Sequence, residues 1–187
     1  MAEPAELKLP VVQGHLKLRE ITKADANQMV PYFSAPEVCR YIPWEPREID
    51  GVLKFISERA TIRIPSEPGQ HLIVGVDHDD IGLIGQLNFT LTDATERTGE
   101  FGYVINPEFS GRGYATKAVS AFITLLFEQL DMRRLTAWID ERNLPSIALV
   151  ERLNLRRESR EVEVEFFKGE YVTMLRYAIL AREWQSQ

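Results

Sequence analysis

Alternating apolar and polar positions predict several β-strands along this chain. The earliest is Leu16–Ile21, in which apolar and polar side chains alternate. Three further runs precede residue 106, and only short turn-forming stretches separate them, which favours antiparallel pairing. The predicted strands are Leu16–Ile21, His71–Val76, Ile81–Leu91, Thr98–Ile105, Arg134–Ile139 and a C-terminal hairpin that turns near Lys168–Gly169.

Helical spacing of apolar residues predicts helices between these strands. Thr22, followed three residues later by Asp25, is a capping-box pattern that predicts the start of a first helix. Pro31 and Pro36 keep this helix short or bent. Asn143 falls in the N-cap region of the last helix. The other helices are predicted over about Asp50–Ile62, from Gly113 to about Gln129, and over about Pro145–Leu153.

The order of these elements predicts the fold class. The chain has 187 residues, a length typical of one domain, and we find no repeat or low-complexity linker in it. An antiparallel meander followed by helical crossovers indicates an α+β fold with a mixed, partly antiparallel sheet and a central parallel strand pair. We therefore expect a single domain over residues 1–187.

Composition and charge exclude several classes of function. The formal net charge of −6 argues against a general nucleic-acid binder, which needs a basic face, and leans weakly towards cationic substrates. No apolar run is as long as a membrane span, and residues 1–15 do not resemble a signal peptide, so we expect a cytoplasmic protein without a membrane partner. One cysteine, Cys39, and three dispersed histidines predict neither a disulfide nor a metal site.

The stretch PEFSGRGYATKAV, residues 107–119, has the composition of an anion-binding loop. Gly111 and Gly113 precede a predicted helix, whose first amides and dipole favour a negative charge, and Arg112 and Lys117 add positive charge. The Walker pattern fails because the lysine lies too far from the second glycine, and the dinucleotide fingerprint fails because Thr116 replaces its third glycine. A diphosphate is a natural guest, and a glycine turn without a ligand is the alternative.

Two segments together resemble a known family. DERNLPSIALVERLNLRRE, residues 140–158, contains Asn143-x-x-Ser146, and GEFGYVINPEFSGRGYATKAV precedes it. The pair is similar to the GNAT superfamily of acetyl-CoA-dependent N-acetyltransferases, and more narrowly to its RimJ/RimL branch of ribosomal-protein N-terminal acetyltransferases. The resemblance extends over about Leu16–Ala181. It implies a mostly antiparallel sheet with a splayed parallel strand pair and helices on both faces.

The resemblance also implies where acetyl-CoA binds. Coenzyme A would lie between the strands Thr98–Ile105 and Arg134–Ile139, with its pantetheine arm on the backbone around Val104 and its pyrophosphate on the amides of the glycine loop. No metal is implied. The implied cofactor-binding residues are Tyr103, Val104, Ile105, Gly111, Arg112, Gly113, Tyr114, Ala115, Thr116, Asn143 and Ser146.

The implied chemistry is attack of a primary amine on the thioester. Ser146 would protonate the departing thiolate, and helix capping is its alternative or additional role. Strand alternation places Glu100 on one face with Gly102 and Val104, so Glu100 would be the base, or would only orient the substrate ammonium. The residues implied to bind the acceptor are Tyr41, Trp44 and Asn88.

Several points stay open at the level of sequence. The acceptor would be a protein N-terminus, such as that of a ribosomal protein, or a small amine, and the protein a monomer or homodimer. Glu108 replaces the Gln or Arg usual in the family's loop, and Val150 replaces a Tyr found in many members. These two departures motivate an alternative function, a non-catalytic acyl-CoA-binding regulator on the same fold. A nucleotide-binding protein is a weaker alternative.

Overall fold

A computed structural model describes residues 7–59 and 64–186 of the chain. Within these residues, eight strands form one sheet in the order β1-β2-β3-β4-β5-β6-β8-β7. Neighbouring strands are antiparallel except for β5 and β6, which confirms the predicted mixed sheet with one parallel pair. The strands are β1 Val11–Gln13, β2 Leu16–Arg19, β3 His71–His78, β4 Gly82–Asp93, β5 Thr98–Ile105, β6 Arg134–Asp140, β7 Arg156–Phe167 and β8 Glu170–Leu180.

Helices cover both faces of this sheet, as the sequence predicts. Two short 3₁₀ turns are also present. Lys23–Asp25 lies directly before the first α-helix, and Pro107–Phe109 follows β5. The backbone amide of Thr22 donates to the Asp25 carboxylate at 2.7 Å, which is one half of the expected capping box. The α-helices are α1 Ala26–Ser34, α2 Pro36–Cys39, α3 Ile49–Arg59, α4 Tyr114–Glu128, α5 Leu144–Arg152 and α6 Ala181–Trp184.

Three short elements were not predicted from the sequence pattern. Strand β1 has three residues, helix α2 four and helix α6 four, which are too few for a period to show. Pro36 was expected to limit a helix, and it instead begins α2, where a missing N–H costs nothing. The predicted end of α3 at Ile62 lies outside the described residues.

Two apolar cores hold the helices against the sheet. On one face, α4 and α5 pack on the sheet through a cluster that includes Phe101, Phe122 and Val150. On the other face, α1 and α3 pack through a second cluster that includes Phe33 and Val104. Successive residues of β5 thus point into opposite cores, in keeping with the two-residue period of a strand. No helix of the described residues is long and apolar enough to cross a bilayer.

The parallel contact between β5 and β6 is short. Only Thr98, Gly99 and Glu100 of β5 are paired with β6, and the partners are Arg134, Leu135 and Thr136. Beyond this point β5 continues along β4 to Ile105, while β6 continues along β8 to Asp140. The two strands therefore diverge, and the sheet opens at its centre.

Replacement of Gly99 tests how tightly the sheet is packed at the start of this divergence. In Gly99→Ala the new Cβ would lie 2.0 Å from Cε2 of the fully buried Phe89 and 2.8 Å from the carbonyl oxygen of Thr90. We expect the free energy of unfolding to fall by about 1–3 kcal/mol, measured by urea denaturation.

The matched control is Gly102→Ala, on the same strand. Its Cβ would meet the amide end of Asn88 at 3.0 Å, and this side chain can move aside. The loss should therefore be smaller, and an equal or larger loss in Gly102→Ala would contradict the packing argument.

Candidate active site

The divergence of β5 and β6 opens into a cavity of about 920 Å³, called the larger cavity below. Its walls come from the end of β5, the loop that follows it, the first turn of α4, and α5. Its volume is within the range of small-molecule and cofactor sites. Of the predicted cofactor-binding residues, those that line it are Tyr103, Val104, Ile105, Gly111, Gly113, Tyr114, Ala115, Thr116, Asn143 and Ser146.

The glycine loop presents a row of backbone amides to this cavity. Gly111 and Gly113 have φ angles of 76° and 77°, a left-handed conformation that favours glycine. Gly113 is the N-cap of α4, and its carbonyl accepts from the amide of Lys117 at 3.2 Å. The amides of residues 111–116 have no hydrogen-bond partner among the described residues. Such a row is suited to an anionic group, and the helix dipole adds to the attraction.

Two cations accompany these amides: Lys117, which was expected from the sequence, and Arg152, which was not. Lys117 and Arg152 line the larger cavity, and Nη1 of Arg152 donates to the Thr116 hydroxyl at 3.3 Å. Arg112 is not among the residues that line it, and its guanidinium lies over the Phe109 ring at 5.7 Å from the centroid. The structure therefore offers Arg152, rather than Arg112, as the arginine nearest to an anion in the loop.

Glu108 does not face the larger cavity. The residue is exposed, it is absent from the cavity lining, and its amide donates to the Asn106 side chain at 3.1 Å. Its carboxylate thus points away from the row of amides, which removes the conflict that the sequence raised. Val150 is fully buried in the core behind α5 and likewise does not line the cavity.

Asn143 and Ser146 lie at the start of α5, on the wall formed after β6. The side-chain oxygen of Asn143 accepts from the backbone amide of Ser146 at 3.3 Å, so Asn143 is the helix N-cap. The cap uses only the backbone amide of Ser146, so the Ser146 hydroxyl is not part of it. Both residues line the larger cavity.

Tyr103 carries a buried hydroxyl on the facing wall. Its Oη has no hydrogen-bond partner among the described residues. Burial raises the pKa of this phenol to about 12, and the nearby Ser146 side chain opposes this rise. The two side chains do not have the geometry of a hydrogen bond. A buried donor without an acceptor is costly, so a polar group bound between Tyr103 and Ser146 would relieve this cost.

A second cavity of about 400 Å³, called the smaller cavity below, adjoins the first. It lies on the side of the sheet covered by α1 and α3. Polar side chains from three neighbouring strands project into it, among them Asn88 and Glu100. Six residues line both cavities and so mark their junction: Tyr41, Ile42, Tyr103, Val104, Asn143 and Ser146.

Glu100 is partly buried in the smaller cavity. It has no hydrogen-bond or ion-pair partner among the described residues. Burial raises the pKa of its carboxyl above the usual 4.5, and the charge of Arg176 partly opposes the rise. A carboxyl with a raised pKa facing a cavity is suited to accept a proton near neutral pH.

The three residues expected at the acceptor side all line the smaller cavity. The Tyr41 hydroxyl donates to the carbonyl of Arg142 at 3.4 Å, which ties the segment after α2 to the start of α5. Trp44 stacks on Phe33 at a centroid distance of 5.0 Å, and its indole N–H is buried without a partner among the described residues. The Asn88 side chain lies over Gly102.

Some residues of the two cavities were not predicted from the sequence. Arg152 reaches the larger cavity from the end of α5, and Arg47, Arg59 and His71 reach the smaller cavity from α3 and its surroundings. No local spacing could have identified them, because each depends on how distant segments pack. The described residues contain no cluster of three or more His, Cys, Asp or Glu side chains able to hold a metal ion.

Comparison with known sequences identifies relatives over most of the chain. The sequence profile of the acetyltransferase (GNAT) domain matches residues 15–156. An uncharacterized N-acetyltransferase p20 from Bacillus licheniformis is 26% identical over 170 residues, which cover 90% of this chain and 94% of that protein. Spermidine N(1)-acetyltransferase from Escherichia coli K12 is 23% identical over 172 residues, covering 92% of this chain and 89% of the relative.

Solved structures share the fold. An acetyltransferase of the GNAT family from Bacillus anthracis superposes with a TM-score of 0.84 at 24% identity, covering 94% of this chain and all of that one. RimL, a ribosomal L7/L12 α-N-protein acetyltransferase solved in complex with coenzyme A, superposes with a TM-score of 0.81 at 17% identity. This match covers 92% of this chain and 98% of RimL.

The position of Glu108 generates a prediction about acetyl-CoA affinity. Because its carboxylate lies outside the larger cavity, Glu108→Gln should change the Kd for acetyl-CoA by less than about twofold. Arg152→Gln removes a cation from the cavity wall and should weaken binding about three- to tenfold, the range of one partly exposed charged contact.

Both affinities are measured by isothermal titration calorimetry. Glu165→Gln, a substitution of an exposed carboxylate on β7, is the control for a change of net charge alone. A large loss of affinity in Glu108→Gln would mean that this side chain takes part in binding.

Proposed function

The chain belongs to the acetyltransferase (GNAT) family, and from this premise we propose that it transfers an acetyl group from acetyl-CoA to a primary amine by direct attack on the thioester. The chain is an N-acetyltransferase by family, and acetyl-CoA is its acyl donor. One observation carries the proposal: the larger and the smaller cavity meet at Tyr103 and Ser146. The larger cavity presents amides that have no partner among the described residues, and the smaller cavity contains Glu100, whose pKa is raised.

We propose that the larger cavity binds the donor. The amides of residues 111–116 would receive the pyrophosphate, with Lys117 and Arg152 beside it. Pairing between β5 and β6 ends at Glu100, so the later backbone groups of β5 lack a partner strand on the side of β6. These groups would form hydrogen bonds with the pantetheine arm. The thioester would then lie at the junction of the two cavities.

The roles of the reacting groups follow from this placement. Glu100 would accept a proton from the acceptor ammonium, directly or through water, and so release a neutral amine. The backbone amide of Val104 would donate to the oxyanion of the tetrahedral intermediate. The Ser146 hydroxyl would give its proton to the departing thiolate, and its position opposite the phenol of Tyr103 supports this role.

The nature of the acceptor is part of the proposal. Relatives include a spermidine acetyltransferase and a putative ribosomal N-acetyltransferase, YdaF of Bacillus subtilis. We propose a protein N-terminus or a small amine as the acceptor, within the RimJ/RimL branch. The proposal also includes one catalytic domain over residues 1–187, a cytoplasmic location, and a monomer or homodimer.

The regulator alternative loses its motivation in the structure. It rested on Glu108 and Val150, which replace residues with chemical roles in many members of the family. Neither side chain lines the larger cavity, so neither substitution removes a functional group from it. No observation on the described residues favours a non-catalytic role.

Release of free thiol from acetyl-CoA tests the proposed function. We expect thiol release to depend on an added amine, across a panel of amino acids, diamines and peptides with free N-termini. The matched control omits the amine, because hydrolysis alone would also release thiol. Tight acetyl-CoA binding with no amine-dependent release on the entire panel would support the regulator instead.

The raised pKa of Glu100 generates a prediction about pH dependence. The base must be charged to act, so kcat/KM should fall as the pH drops through a pKa higher than the usual 4.5 of Glu. Glu100→Gln should remove this acidic limb and lower kcat/KM by about 10²–10⁴, measured from pH 5 to 9.

Ser146→Ala is the matched variant, because Ser146 is proposed to act on the leaving thiolate and Glu100 on the attacking amine. It should lower kcat at every pH and leave the acidic limb in place, because the base is unchanged. If Glu100→Gln retains both the limb and the rate, Glu100 only orients the substrate.

A further inference from the structure

Two arginines form one side of the smaller cavity. Arg47 follows the α2 segment and Arg59 is the last residue of α3. Both are partly buried, and neither guanidinium has a hydrogen bond or an ion pair with any described residue. Guanidinium groups form strong, often bidentate hydrogen bonds with carboxylates and phosphates, so two that lack a partner among the described residues favour an anionic ligand in this cavity.

Arg47 is held in place by its surroundings. Gly51 leaves room for its aliphatic stem, since a Cβ on this glycine would lie 3.2 Å from the Cβ of Arg47. Its guanidinium lies 5.6–5.9 Å from the centroids of the Phe33, Trp44 and Phe55 rings. Aromatic rings attract the cation but accept no conventional hydrogen bond, so its N–H groups can still donate to a carboxylate in bidentate fashion.

The Arg59 side of the same cavity is also electropositive. Burial lowers the pKa of His71, and the charge of Arg59 lowers it further. Nδ1 of His71 lies 2.8 Å from the Thr90 hydroxyl, and Thr90 is paired across the sheet with Glu100. The lining of the smaller cavity is therefore cationic at Arg59 and carries a carboxyl at Glu100, with His71 and Thr90 between them.

Among the described residues that line the smaller cavity, only one carboxyl lacks a hydrogen-bond or ion-pair partner. Asp140 also lines the cavity, but its oxygens accept from Nε of Arg142 at 2.9 Å and from Nη2 at 2.6 Å. Glu100 is the other carboxyl on the lining, and it lies next to the junction with the larger cavity. A ligand with two ammonium groups would thus place the second one near Arg47 and Arg59, where like charges repel.

We propose that the acceptor is a small, amino-acid-like molecule that carries a carboxylate as well as the reacting amine. Its amine lies at the junction, beside Glu100, and its carboxylate binds Arg47 and Arg59. The cavity volume of about 400 Å³ suits a small molecule. This inference rests on the proposed function, and it places diamines and polyamines among the poor acceptors.

The test compares acceptors that differ only in charge. Amine-dependent thiol release from acetyl-CoA is measured with 4-aminobutyrate, 4-aminobutanamide and 1,4-diaminobutane, and with a set of α-amino acids and their carboxamides. We expect kcat/KM for the best carboxylate acceptor to exceed that of its carboxamide by at least about tenfold, equivalent to about 1.4 kcal/mol. The matching diamine should be poorer still.

Substitutions then assign this preference to the two arginines. Arg47→Gln and Arg59→Gln should each raise KM for the carboxylate acceptor about tenfold and leave the carboxamide nearly unaffected. Lys54→Gln is the matched control, because it removes a positive charge from an exposed position on the same helix α3. Thermal unfolding checks that each variant is folded, and Arg59→Gln keeps the test decisive if Arg47→Gln is unstable.

The outcomes separate this inference from the proposed function. Thiol release that is fastest with diamines, or that occurs only with peptide N-termini, would overturn the inference and leave acetyl transfer to amines intact. A carboxylate preference that survives in both arginine variants would also overturn it. Tight acetyl-CoA binding without release on any amine would instead overturn the proposed function.

Discussion

The short parallel contact between β5 and β6 is the constraint on which the rest of the structure depends. Each strand has a longer antiparallel partner, β4 for β5 and β8 for β6, and only three residue pairs join the two halves of the sheet. Where that pairing stops, backbone groups of both strands lack a partner strand. The opening can persist because the core under α4 and α5 contains residues from both halves of the sheet, from Leu16 on β2 to Ile179 on β8, and so holds the halves together.

Much of the fold and of the larger cavity could be predicted from the sequence, because their signals are local. Alternation along β5 places Glu100 on the face of Val104, and two glycines before an amphipathic run give the left-handed turn at the start of α4. Asn143 three residues before Ser146 gives the cap of α5. Each of these features needs only a few consecutive residues, which is why a pattern can identify it.

The smaller cavity could be predicted only in part, because its walls come from distant segments. Tyr41 contacts the carbonyl of Arg142 across 101 residues, and Lys168 in the C-terminal hairpin donates to the carbonyl of Trp44 across 124. No periodicity encodes such contacts, since they depend on the packing of α2 and α3 against the far half of the sheet. For the same reason Arg152 was missed, since its contact with the Thr116 hydroxyl joins residues 36 positions apart.

Net charge and the charges around the smaller cavity favour different acceptors. The chain carries a formal charge of −6, which favours cationic partners on average. Within the part of the chain that the structure describes, however, the smaller cavity is lined by two unpaired arginines and one free carboxyl. Charges on the outer surface are screened over about 8 Å at physiological ionic strength, so they contribute little inside a partly enclosed site. The sign of the nearest few side chains therefore outweighs the sum over the chain.

The two cavities draw their distinctive residues from different stretches of the chain. The glycine loop and α5 lie after residue 103, whereas Arg47, Arg59 and His71 lie well before it. Exchange of the segment between α2 and β3 would alter what the smaller cavity accepts and leave the row of amides in α4 untouched. Descendants of such a sequence can thus acquire new acceptors by recombination or drift in one segment, while the donor half is inherited unchanged.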